Sequence, residues 1–407
     1  MSLHEPAPLH SAGLLGPNLL RAIRVPSKAE TAIVAPVGRD ERLDMFRGIA
    51  LLMIFINHVP GNIYEVLTSR NFGFSDAAEA FVFMSGLAAG LAYSNRFRSG
   101  STWAATAKVW ARARQLYFVH ITITVLSLAI FAGAALWFGL PELLTKINIA
   151  PLFQQPLSTM VGIPLLTHQL GYLNILPMYM ILLLVTPALI LVGLKRPVLL
   201  AVGAVVLWIA AGQFRLNLPA YPNAGGWFFN PLSWQILFVF GLLTGMAGKL
   251  GKRFIPYNQT LFTIAVAFLV FVLLWMKLPE FGKGMNGVMG WLSSIGVPFY
   301  ITWFDKTFLS LPRLLHAFAL FYVLGHLPIM RTIAQSSYAA PFRLLGRQGL
   351  AVFAVGTVLS LALQAVKAIQ PDNILLDSVL VAAGVAALVG LAWVLTRTAE
   401  LSRAKPA

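Results

Sequence analysis

The sequence has no cysteine among its 407 residues. Disulfides, zinc–thiolate sites, iron–sulfur clusters and a thiol nucleophile are therefore excluded. Charge is scarce as well, with Asp, Glu, Lys and Arg at 11% of the chain against 58% hydrophobic residues. That balance excludes an ordinary soluble domain and points to a polytopic membrane protein. Acidic residues are the rarer sign, 14 against 30 basic ones, giving a formal charge of +16. This excess does not indicate nucleic acid, because no basic stretch is long or interleaved enough for a binding module. The bases instead lie in short clusters between apolar runs, where they orient a chain in a membrane. Residues 1–38 lack an uninterrupted apolar run followed by a small-residue cleavage site, so they read as a mobile cytoplasmic tail and not a signal peptide. Nothing repeats at a fixed short period.

What is present is a series of long apolar runs. A span takes about 20 mostly apolar residues, and ten stretches qualify: 47–66, 77–95, 117–138, 173–193, 197–214, 232–249, 259–278, 312–330, 348–369 and 375–396. Alternating the loops places 22 of the 30 Lys and Arg residues on the side of the N terminus and 8 on the other. The positive-inside rule then makes the N-terminal side cytoplasmic. The expected fold is all-α, a polytopic integral membrane protein of about ten transmembrane helices with both termini in the cytoplasm. Residues 39–396 would form the membrane domain and 397–407 a cytoplasmic C-terminal tail. The stretch 285–304 either re-enters the membrane or spans it. Residues 99–116 read as a basic helix ahead of the third span, either an interfacial helix with snorkelling Arg and Lys or an anion site for a phosphorylated donor.

The first run, "MFRGIALLMIFINHVPGN", carries Asn57 and His58 inside apolar sequence. At 3.6 residues per turn Asp44, Arg47, Leu51, Ile54 and His58 fall on one stripe. Eleven residues separate Arg47 from His58, about 16 Å of rise, or roughly half of a ~30 Å hydrocarbon core. Pro60 then removes a backbone donor and leaves the Ile56 carbonyl in need of another partner. Ionisable groups at such depth normally face a bundle interior or an aqueous cavity. His58 is thus a candidate acid–base group, the plainer reading being a hydrogen bond to another helix. Asp44 is equally a helix cap.

The second run is preceded by "RNFGFSDAAEAFVFMSG". Asp76 and Glu79 have the spacing of a capping box. They also lie one turn apart near the expected depth of His58, where a carboxylate would orient an imidazole. Gly86 and Gly90 make a small-xxx-small face suited to tight helix packing. On the outer side, "RLNLPAYPNAGGWFFNPLSWQ" clusters Tyr221, Trp227, Phe228 and Trp234, as sugar platforms or as an interfacial aromatic belt. His168 and His316 are further polar candidates near the outer ends of their spans. His120 and His326 have no comparable setting.

Taken together, "RDERLDMFRGIAL", "FINHVPGN", "RNFGFSDAAEAFVFMSG", "NPLSWQILFVFGLLTG" and "LLGRQGLAVFAVGTVLS" resemble the OpgC family of membrane proteins, from about Arg39 to Leu395. That family is linked to succinylation of osmoregulated periplasmic glucans in Gram-negative bacteria. More distantly the chain is similar to the acyltransferase-3 group and the heparan-glucosaminide acetyltransferases. "WARARQLY" departs from the arginine-rich stretch of the acyltransferase-3 proteins.

The resemblance implies an O-acyltransferase of the bacterial inner membrane, using succinyl- or acetyl-coenzyme A as co-substrate with no permanently bound cofactor or metal. The superfamily's first-helix histidine falls on His58. Expected roles follow: His58 as general base, with Asp76, Glu79 and Asn57 beside it, and Arg42, Asp44, Arg47, Arg112 and Arg114 at the donor's phosphates. Arg70, Asn71, His168, Trp227, Trp234 and His316 would meet a glucan or other polysaccharide. Membrane lipids, a second copy of the chain and periplasmic glucan-synthesis proteins are the partners to expect. The rival class is a transporter or flippase for an acylated or lipid-linked metabolite, although no matching inverted halves are visible.

Overall fold

The computed structural model describes residues 40–370 and 373–404, so the expected tail at 1–38 and the last three residues lie outside the described residues. In chain order its main helices are α1 (Glu41–Asn57), α2 (Ala77–Ser99), α3 (Thr102–Phe138), α4 (Ile175–Lys195), α5 (Pro197–Gln213), α6 (Pro231–Gly248) and α7 (Gln259–Lys277). There follow α8 (Pro279–Ser294), α9 (Leu311–His326), α10 (Ile329–Gln335), α11 (Ala340–Arg347), α12 (Gly349–Ile369) and α13 (Ile374–Ala404). Among the described residues no strand forms, and Pro219 and Gly226 make an isolated bridge. Helices satisfy their backbone groups within one segment, the condition for crossing hydrocarbon.

Among the described residues α2, α3, α4, α6, α7, α12 and α13 qualify by length and composition as membrane spans, seven in all, or eight if the bent pair α9–α10 is one. The sequence led to ten, and three expected spans account for the difference. The run at 47–66 ends as a helix at Asn57. The run at 197–214 is α5, apolar but 17 residues long. Both α1 and α5 measure about 25 Å, short of a ~30 Å core. The run at 312–330 turns by 75° between α9 and α10. Pro328 sits at that break, and it disfavours helical geometry in the residue before it.

Three boundaries also differ. The basic segment at 99–116 and the third span are one continuous helix, α3, of 37 residues, about 55 Å long. Gly133 is its sole glycine and it holds no proline, so nothing interrupts it. Residues 285–304 divide between α8, a 16-residue helix with an exposed polar and apolar surface, and a single turn at Phe299–Thr302, broken at Gly296 and Pro298. The last helix, α13, runs through the expected boundary at 396 to Ala404.

Glycine brings the central helices together. A methyl on Gly86 or Gly90 of α2 would lie 2.0 Å from the Phe238 carbonyl oxygen or 2.3 Å from that of Leu242 on α6. The relation is reciprocal: Gly241 and Gly245 would each bring a methyl within 2.1 Å of the α2 carbonyls of Phe83 and Leu87. Lipid tails are as apolar as leucine, so close backbone approach and dispersion hold such helices. A second crossing seats α1 on α11, where Gly48 meets the Phe342 carbonyl and Gly346 that of Asp44.

Valine at Gly86 or Gly245 must push α2 and α6 apart. The expected loss is at least about 1–3 kcal/mol, read as a lower midpoint of denaturation for the purified protein. An unchanged midpoint in both variants would mean that the two backbones do not touch.

Candidate functional site

His58 occupies the C-cap of α1, with φ −91° and ψ 1°. Asn62 compensates for the break that Pro60 makes. Its Nδ2 donates to the carbonyls of Ile56 (2.9 Å) and Val59 (2.6 Å), and its Oδ1 accepts the Tyr64 N–H. On the other side Gln364 of α12 donates to the His58 carbonyl at 2.7 Å. The backbone around His58 is therefore held from two directions.

Its side chain is left uncommitted. Neither ring nitrogen hydrogen-bonds a described residue, and Nδ1 is buried without a partner. The half-buried ring lies against Tyr172, with centroids 4.5 Å apart. Tyr172 itself adopts φ +69°, a left-handed conformation that costs an L-residue of this size of order 1–3 kcal/mol. Asn57 accepts the Thr68 hydroxyl at 2.9 Å through Oδ1, so its amide nitrogen is the end able to donate to a reacting group.

Asp76 and Glu79 form the capping box that their spacing suggests. Asp76 accepts the Ala78 N–H at 2.8 Å, and Glu79 Oε2 accepts the Asp76 N–H at 2.9 Å. Both carboxylates also meet cations from the chain ahead of and within α9. Lys306 Nζ lies 2.5 Å from Asp76 Oδ2, and Arg313 Nη2 lies 3.2 Å from the same oxygen. Arg313 donates to Glu79 Oε1 from Nε at 2.8 Å and from Nη2 at 2.5 Å. Glu79 is fully buried, where an unpaired carboxylate is prohibitively costly.

The expectation that Glu79 orients His58 is thus corrected: both its oxygens are engaged elsewhere, and among the described residues no carboxylate bonds the imidazole. Lys306 and Asp76 are the charges that reach His58 through space. Burial pushes the Asp76 carboxyl up, but Lys306 and then Arg313 outweigh it and hold the group well below its usual range. Trp234 fixes the Lys306 backbone, donating from Nε1 to its carbonyl at 2.9 Å.

Several expected substrate contacts have other partners. Trp227 and Trp234 are buried, with indole N–H groups donating to the carbonyls of Pro219 and Lys306, so they are neither sugar platforms nor belt residues. The exposed rings of that stretch are Tyr221 and Phe228. His316 is buried and faces backbone. Its Nδ1 accepts the Ser75 N–H (3.3 Å) and lies 2.7 Å from Ser75 Oγ. A methyl on Gly73 would fall 2.1 Å from its Nε2. His168 is buried in the 141–174 connection, and burial lowers its pKa. Arg70 pairs with Glu65 at 3.3 Å and Asn71 donates to the Glu65 carbonyl. Arg70 and Glu65 act electrostatically on Tyr172, the ring that covers His58. A cleft of about 280 Å³ lies between α8 and the 299–304 segment, and His58 is not among its walls.

At the basic end of the bundle the expected arginines divide. Arg47 reaches the Gly346 carbonyl (3.4 Å) and the buried Asp44 (3.9 Å), and Asp44 also faces Arg347 at 3.6 Å. Arg112, bonded to Gln115 at 2.6 Å, acts with Arg47 on the Tyr179 phenol of α4. Arg47 and Arg112 thus both lie within electrostatic reach of one phenol. Arg114 is exposed on another face of α3. Arg42 lies five residues before Arg47, about 140° around α1, and reaches instead the Gly325 carbonyl on α9 at 3.4 Å.

Sequence reasoning missed Lys306, Arg313, Tyr172, Gln364 and Asn62. Asn62 alone was signalled locally, as an amide placed just after a proline that strips a carbonyl of its donor. The partners of Asp76 and Glu79 lie more than 200 residues away, with no local signal.

A family model described as "OpgC protein" matches residues 39–400. No curated protein matches the chain.

Arg313→Ala leaves Glu79 buried and unpaired. The expected cost is about 3–5 kcal/mol, with partial recovery when Glu79→Gln is added, both measured by denaturation. Equal stability of Arg313→Ala and the wild type would reject the pairing.

Proposed function

The chain belongs to the OpgC family, and from that premise we propose that it is a membrane O-acyltransferase. It moves an acyl group, succinyl by the family's linkage, from cytoplasmic acyl-coenzyme A to a hydroxyl of a periplasmic glucan or related polysaccharide. The observation that carries this reading is the state of His58: an imidazole with neither nitrogen hydrogen-bonded to a described residue and Nδ1 buried, on a backbone clamped by Asn62 and Gln364.

In the reaction the acceptor hydroxyl oxygen attacks the thioester carbonyl while neutral His58 takes its proton. The tetrahedral intermediate collapses, a C–O ester bond replaces the C–S bond, and His58 gives the proton to the departing sulfur, which leaves as the coenzyme A thiol. A positioned base of this kind contributes about 10²–10⁴ in rate. Burial does most to keep the ring neutral between turnovers and Lys306 adds to it, while Asp76 favours the imidazolium that forms briefly in the reaction. Arg47 and Arg112 receive the donor's phosphates, since a guanidinium fork matches phosphate geometry and stays charged. Arg70, exposed and within electrostatic reach of Tyr172, flanks the acceptor's approach. Both termini lie in the cytoplasm of a bacterial inner-membrane protein on this reading.

With labelled succinyl-coenzyme A and a glucan, wild-type protein should place label on the sugar. His58→Ala should lower the rate by about 10²–10⁴ with an unchanged denaturation midpoint. Equal label in both would reject His58 as the base, and movement of substrate without ester formation would favour a transporter. Arg47→Ala or Arg112→Ala should raise the KM for the acyl-coenzyme A by about tenfold at nearly constant kcat, as loss of a charge-assisted contact predicts. A fall in kcat alone would remove these arginines from donor binding.

A further inference from the structure

The turn that carries His58 leaves α1 ahead of Pro60, so helix geometry no longer sets its course from there on. Contacts from α12 and α13 take over. The Phe55 ring, about one turn before His58 and buried, lies so close to α13 that a methyl on Gly384 would fall 2.2 Å from it. Gly356 of α12 borders the same ring, its added methyl lying 4.0 Å away. Further along α12, Gln364 donates to the His58 carbonyl at 2.7 Å.

Gln364 and Lys367 stand three residues apart on α12 and so share a face. Lys367 Nζ lies 2.6 Å from Asp377 Oδ1 of α13, and both side chains are deeply buried, 7% and 2% exposed. By itself this pair is a basic last turn meeting an acidic first turn, each charge suited to its helix end. The second carboxylate oxygen does something else. Asp377 Oδ2 accepts the Ile63 N–H at 3.2 Å. The next residue on each side adds a bond: Ser378 Oγ donates to the Ile374 carbonyl at 2.6 Å and accepts from the Tyr64 hydroxyl at 2.7 Å. Contacts from α12 and α13 thus follow the chain from Phe55 through His58 to Tyr64.

An ion pair buried among apolar helices is costly, and well-packed hydrophobic residues often serve stability as well or better. What they cannot do is accept a main-chain N–H. We propose that Asp377 is a positioning residue for His58: its carboxylate, fixed by Lys367, seats the turn that bears the imidazole by accepting the Ile63 N–H. A charge-assisted bond of this kind is roughly twice as strong as a neutral one, and Gln364 holds the other end of the same turn. Misplacing a reacting group by about 1 Å costs on the order of 10²-fold in rate, which gives the seat its chemical consequence. That consequence rests on the function proposed above; the seat itself does not.

Two double variants of the full chain, in nanodiscs, separate the bond from the charge. Lys367→Met with Asp377→Asn keeps an oxygen for Ile63, and Lys367→Met with Asp377→Leu removes it. Amide exchange in the His58–Asn62 segment should rise about tenfold in the Leu form and stay near wild type in the Asn form, at similar denaturation midpoints. In the Leu form alone kcat should fall by about tenfold or more, with the KM for acyl-coenzyme A unchanged. A merely stabilising pair would move both forms together, so equal behaviour of the two overturns the proposal. Tyr64→Phe removes the Ser378 bond without touching a charge: raised exchange in the same segment supports the seat, and unchanged exchange overturns it. Exchange needs no turnover. Absence of transfer by the wild type would therefore reject the acyltransferase reading, and the seat would stand or fall by exchange.

Discussion

The structure depends on backbone against backbone at the crossing of α2 and α6. A bilayer gives no hydrophobic reward for helix association, so the attraction must come from dispersion and from contacts that hydrocarbon cannot replace. Gly86, Gly90, Gly241 and Gly245 make this possible by removing every side chain from the line of contact. The crossing fixes the direction of α2, and with it the position of Asp76 and Glu79 at its first turn. The second glycine crossing, between α1 and α11, does the same for the helix that ends at His58.

Two carboxylates and two cations then meet near that end. Asp76, Glu79, Lys306 and Arg313 neutralise one another in a buried setting, which ties α2 to α9 over a sequence separation of more than 200 residues. The same pairing has a chemical consequence. Arg313 and the Asp76 N–H between them occupy both oxygens of Glu79, and the imidazole is held through its own backbone and not through its ring. An imidazole without a carboxylate partner stays neutral more readily, the form a general base requires. Asn62 and Gln364 supply the rigidity that a triad would otherwise give.

Much of this was legible in the residues because it is local. Apolar runs of sufficient length announce helices whatever they pack against, and seven of the ten expected spans correspond to helices that qualify. The capping box at Asp76 and the small-residue face of α2 follow from spacing along one helix. The misreadings share a cause. Trp227, Trp234 and His316 were assigned outward-facing roles from residue type and position, but each is turned into the protein by a backbone group, from within the same loop for Trp227 and from distant parts of the chain for Trp234 and His316. The continuity of α3 was missed for another reason: a change from basic to apolar composition looks like a boundary, although no residue there breaks a helix.

Composition and spacing by themselves determined that the chain is helical and membrane-bound, that α1 must break near Pro60, and that His58 is its most unusual residue. Those properties come from the backbone and from nearest neighbours. Tertiary structure decided which charges meet. It assigned Arg313 to Glu79, divided Arg42 from Arg47, and left His58 with a buried nitrogen that no described residue satisfies. The reason is physical: ion pairing acts between groups that the fold brings close, and closeness across hundreds of residues is a product of helix packing that no local pattern encodes.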